Sequence, residues 1–89
     1  METIENAIKK ELEKKYEKEV KELIKKVYNE VNGDEDLIPA NLGSELEQFL
    51  KAKHNGKDVD DWLIRLGLSY VDWDLVGEDL YYRFEGEVI

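Results

Sequence analysis

The 89-residue chain has no cysteine, one proline, one histidine and no apolar run longer than a few residues. Without cysteine, neither a disulfide nor a thiolate metal site supplements its small core. The lone His54 precedes Asn55-Gly56 at the end of a helical stretch. That position suits a charge at a helix C-terminus better than a general base or a metal ligand. The hydroxyl nucleophiles are Thr3, Ser44 and Ser69, and neither serine lies in a G-x-S-x-G setting. The glycines are scattered as helix stops and turns, which excludes a P-loop or a dinucleotide fingerprint. The short apolar runs and the opening Met-Glu-Thr-Ile-Glu predict no membrane span and no signal peptide, and hence a cytoplasmic protein.

What the chain does contain is charge, unevenly placed. Residues 1–31 hold eight Glu and eight Lys, which cancel. Residues 32–89 set fourteen acids against Lys51, Lys53, Lys57, Arg65 and Arg83, so they carry the whole formal charge of −9. Such a field repels nucleic acid and attracts basic protein surfaces. Nine aromatics and a spread of Leu, Ile and Val argue for a folded domain, since acidic disordered segments are poor in aromatics. No calcium loop completes itself. Asp72-Trp-Asp74-Leu-Val-Gly77 has Val76 at the fifth loop position and Arg83 where the bidentate Glu belongs, and the 32–36 cluster puts Leu37 at the glycine position. No cofactor or metal is expected.

Residues 1–31 read as one long charged helix, free of Gly and Pro. Glu5/Lys9, Glu11/Lys15, Glu17/Lys21 and Glu22/Lys26 fall in the favourable i,i+4 order. A continuous helix of that length would span about 45 Å, more than a domain of this size covers. It must overhang, break or pair with a second chain through Ile4, Ile8, Leu12 and Tyr16. Asn32-Gly33 ends it, and 32–43 form a loop. Ser44 and Glu47 fit a capping box at the start of a second helix, 44–55. Asp58 caps a third, 58–66, with Val59, Trp62, Leu63 and Leu66 on one stripe.

The pattern then changes to a period of two. Residues 70–76 and 79–85 flank Gly77-Glu78, which suits a type II′ hairpin turn. In that register Val71, Trp73, Leu75, Leu80, Tyr82 and Phe84 form the apolar face, and Asp72 faces Arg83 across the ribbon. The expected fold is α+β: a long N-terminal helix, two shorter helices and a C-terminal antiparallel hairpin packed on them, in one domain.

The expected partner-binding residues are Tyr70, Asp72, Asp74, Tyr81, Glu85 and Glu87 on the outer ribbon face, with Glu78 and Asp79 at its tip. Asp58, Asp60 and Asp61 extend the patch. Acids spaced along a ribbon imitate a phosphate array, and tyrosines add low-entropy contact area. A helix opening Asp58-Val-Asp60-Asp61 would repel phosphates, so direct nucleic-acid binding is not expected. In size, acidity, lack of cysteine and lack of a catalytic constellation, the chain resembles small phage-encoded inhibitors of the anti-CRISPR and anti-restriction type. That resemblance implies stoichiometric blockade of a basic, nucleic-acid-binding surface on a host enzyme, without catalysis, in the host cytoplasm. The alternative reading is an oligomerising structural or adaptor protein acting through the N-terminal helix.

Overall fold

The computed structural model describes residues 3–53 and 71–89. Thr3 begins helix α1, Ile4–Lys15, by accepting a hydrogen bond from the Asn6 N–H at 3.1 Å. Ile4, Ile8 and Leu12 bury its inner stripe. At Tyr16 (φ −131°, ψ 29°) the helix breaks, and α2 runs from Glu17 to Glu30 with Val20, Ile24 and Val27 buried. Of the three options for the long N-terminal helix, the chain takes the break. The cause is in the spacing: residues four apart advance about 400°, so a stripe of fours drifts by about 40° per step. From Ile4 to Ile24 an unbroken helix would turn that stripe about 200°, away from the core it must face. Resetting the phase at Tyr16 lets both halves bury their apolar residues. The Tyr16 ring then meets Phe49 edge-on, with centroids 5.2 Å apart.

Asn32 and Gly33, both at positive φ (54° and 75°), close α2, with the Gly33 N–H donating to the Tyr28 carbonyl at 2.9 Å. Helix α3, Ile38–Lys53, starts well ahead of the expected 44–55 boundary. Pro39 is tolerated because it sits in the first turn, where its missing N–H would have had no partner. Ser44 therefore lies inside the helix rather than capping it. Glu47 pairs with Lys51 at 2.8 Å instead of reaching back to an N-cap. Ile38, Leu42, Leu46 and Leu50 are buried along α3.

The C-terminal hairpin is not formed. Residues 73–88 are a single helix, α4 (Trp73–Val88), and the described residues contain no strand, so they are all-helical and not α+β. Asp72, expected on a strand, is the N-cap of α4, its Oδ1 accepting from the Leu75 N–H at 3.1 Å. Its own N–H donates to Glu5 Oε2 of α1 at 3.2 Å. The glycine taken for a turn residue has another purpose. A Cβ on Gly77 would lie 2.5 Å from the Pro39 carbonyl and 2.7 Å from the Gly43 amide nitrogen, and one on Gly43 would overlap the Trp73 carbonyl. The two glycines let the backbones of α3 and α4 touch, and this is the most extensive helix pair of the fold. The side chains around it (Leu42, Leu46, Val76, Leu80, Phe84) close the core against α1 and α2. The expected helix 58–66, with its Val59, Trp62, Leu63 and Leu66 stripe, lies outside the described residues, as does His54.

Gly77→Ala should lower stability by about 1–3 kcal/mol, because the added methyl meets backbone on the opposing helix. Gly86→Ala, where a Cβ meets nothing within 4 Å, should raise it by up to about 1 kcal/mol. Each kcal/mol moves the circular-dichroism melting midpoint by about 4–8 °C in a domain of this size.

Candidate protein-binding surface

Helix α4 has one buried and one free face, and the free face gathers part of the expected patch. Val76, Gly77, Leu80, Tyr81 and Phe84 turn inward. Asp74, Leu75, Glu78, Tyr82 and Ile89 are exposed, and Glu85 is half-buried. The two tyrosines exchange the places that a ribbon would give them. Tyr81, expected outside, is 3 % exposed, while Tyr82, expected in the core, is 57 % exposed. Their rings meet edge to face at 5.6 Å.

The acids divide by flank. On the side facing α1 and α2, bases from the N-terminal half neutralise them. Lys9 binds Asp79. Lys21 reaches Glu87 at 3.2 Å, and Arg83 lies 3.5 Å from the same carboxylate. Lys21 and Arg83 also stand over the Phe84 ring, at 5.4 and 4.9 Å. On α3, Glu45 takes Lys26 at 3.1 Å, and that hydrogen bond, with the carboxylate's charge behind it, holds the lysine above its usual pKa. Lys9 and Lys26 thus leave the local i,i+4 partners that the spacing offers for acids on other helices. Glu11–Lys15 at 2.9 Å and Glu17–Lys21 at 3.9 Å keep the local geometry.

On the other flank, Asp74, Glu78 and Glu85 have no basic side chain within ion-pair distance among the described residues. Beside them lies a shallow depression of about 310 Å³, lined by Tyr28, Glu35, Tyr81, Glu85 and Ile89 among others. Burial first, and then the charges of Glu85 and Glu35, push the Tyr81 phenol above its ordinary value. Glu35 was not among the expected site residues. Nor were Leu75, Tyr82 and Ile89, although their seven-residue spacing is a helical signal once Asp72 is read as a cap.

Of the expected site residues, Asp74, Glu78 and Glu85 come together on the free flank. Asp79 and Glu87 belong to ion pairs, Asp72 to the cap and Tyr81 to the core. Tyr70, Asp58, Asp60 and Asp61 lie outside the described residues. Ile4, Ile8 and Leu12, the contacts an N-terminal dimer would use, are buried in the protein's own core. Among the described residues no three His, Cys, Asp or Glu side chains are grouped to hold a metal ion, and no helix is long and apolar enough to cross a membrane. No family model, curated protein or solved structure matches the chain.

The folded state keeps the Tyr81 phenol protonated to higher pH than the unfolded chain does. Its contribution is therefore complete below about pH 10, the unfolded phenol value, and is lost as pH rises from there through the folded pKa. Denaturant midpoints measured from pH 8 to 11 should fall at the alkaline end, and Tyr81→Phe should flatten that fall.

Proposed function

We propose that the protein is a non-enzymatic binding protein that docks the free flank of α4 on a basic surface of a protein partner. The observation that carries this reading is the division of charge along one helix. Asp79 and Glu87 have cationic partners within the fold, whereas Asp74, Glu78 and Glu85 have none among the described residues and lie beside an exposed tyrosine. Structural acids acquire partners; a row left without them projects a field outward. Such a field speeds encounter with a basic surface and selects against acidic ones. A basic surface of this kind is what nucleic-acid enzymes present to their substrates, and stoichiometric blockade of one is the activity we assign. The reading rests on charge placement and on no duplex-like array: with α4 a helix, Asp74 and Glu78 are one turn apart, about 6 Å along the axis.

Asp72 is the wrong residue to reverse in a test, since it caps α4 and its loss costs about 1 kcal/mol of stability. The double variant Asp74→Lys, Glu78→Lys leaves caps and core untouched. It should slow association with the partner by roughly ten-fold or more at low salt, with a smaller effect at high salt. Stopped-flow or surface-plasmon association rates against the partner captured from a nuclease-treated lysate measure this, and unchanged rates at low salt would remove the flank from the interaction.

A further inference from the structure

The outermost row of α4 is apolar. Leu75, Tyr82 and Ile89 are 41, 57 and 53 % exposed and lie seven residues apart, so they repeat every two turns, about 10.5 Å, along a line of about 21 Å. Three large apolar side chains in one line on an otherwise charged chain exceed the scattered exposure of an ordinary surface. Seven-residue spacing is the repeat with which a second helix, crossing at about 20°, stays in register.

Gly86 adds an independent observation. Gly43 and Gly77 are required by the α3–α4 contact and Gly33 by its positive φ, but a Cβ on Gly86 would meet nothing within 4 Å. No contact among the described residues accounts for a glycine there, in the last turn of α4, where it adds flexibility to the helix end. It lies on the outer face between Tyr82 and Ile89. A missing side chain at that point lets another backbone come close, as Gly43 does for α4.

Charge decides what kind of helix fits. Asp79, paired with Lys9, and Arg83 border one side of the row. Asp74, Glu78 and Glu85 border the other, where Glu85, Gly86 and Ile89 also line the depression that holds Glu35 and the Tyr28 and Tyr81 rings. An acidic or uncharged helix would leave these carboxylates opposite like charge or desolvated without a partner.

We infer that the outer row of α4 binds a basic amphipathic helix of the partner. Its apolar stripe lies along Leu75, Tyr82 and Ile89, its backbone passes close over Gly86, and one of its Lys or Arg side chains enters the depression between Glu35 and Glu85. This deepens the proposed function, on which it rests, by naming the structural class of the partner segment.

The test uses the full chain and two labelled peptides of about three heptads. One has leucine at a and d with lysine and arginine elsewhere. The other has the same composition with the leucines redistributed off any helical face. Anisotropy titrations at low and high salt should show the amphipathic peptide binding at least about ten-fold tighter than its isomer, a difference of about 1.4 kcal/mol. Leu75→Gln with Tyr82→Gln should remove that preference. Gly86→Ala should weaken binding of the amphipathic peptide, and Gly86→Val should weaken it further. All these positions are exposed, and circular dichroism of each variant checks that its helices are kept.

Equal binding of both peptides, abolished by Asp74→Lys with Glu78→Lys, would overturn the helix inference and leave the charged-surface reading standing. Binding of neither at low salt would overturn both. Self-association of the chain by sedimentation, abolished by Leu75→Gln with Tyr82→Gln, would assign the row to a second copy and overturn the inference as well.

Discussion

The close approach of α3 to α4 at Gly43 and Gly77 is the contact on which the other features depend. With no side chain at either position the two backbones meet directly, and a methyl on either glycine would occupy space already filled by the other helix. This contact sets the rotation of α4 about its own axis. Rotation in turn decides that Val76, Leu80, Tyr81 and Phe84 enter the core, and that Leu75, Tyr82 and Ile89 stay outside. A core built around backbone contact tolerates little change in volume. The face that α4 shows to solvent is therefore as well defined as the face it buries.

The same packing redistributes charge. Along the chain, residues 1–31 are neutral and residues 32–89 carry the net −9. In space, Lys9, Lys21 and Lys26 reach across to Asp79, Glu87 and Glu45, tying α1 and α2 to the acidic helices. Exposed pairs of this kind contribute little to stability, about 0–1 kcal/mol each. Their larger consequence is spatial. They cancel one flank of α4 and leave the other acidic, so that a broad imbalance becomes a directed field.

The proposed binding surface is the outward face of the helix that the described contacts hold on several sides. One side of α4 is held by glycine contact, the Asp72 cap and ion pairs. The other presents an apolar row, an acidic border and a glycine that no contact among the described residues requires. Rigid support with an unfilled outer face suits recognition by docking, because little ordering entropy is lost on binding.

Much of the helical organisation was legible along the chain, and the errors were local in origin. The Asn32-Gly33 stop and the apolar positions of α1 and α2 follow from short-range chemistry. Residues 70–85 satisfied a hairpin and a helix together: Trp73, Val76, Leu80, Phe84 and Val88 fit a 3.6-residue period, while Trp73, Leu75, Leu80, Tyr82 and Phe84 fit two strands around Gly77-Glu78. Short segments carry that ambiguity, and a glycine serves as a turn or as a crossing point. Gly43, distant in sequence from Gly77, resolves it by contact. The excess of acid and the absence of metal-binding cysteines were determined by the sequence itself, since they depend on composition. The spacing of the N-terminal apolar residues left overhang, break and pairing open, and the core they pack against selected the break at Tyr16. Which tyrosine is buried, which acids find a cationic partner among the described residues and which glycines meet an opposing backbone were decided by the tertiary structure alone. Each depends on what another helix places opposite it.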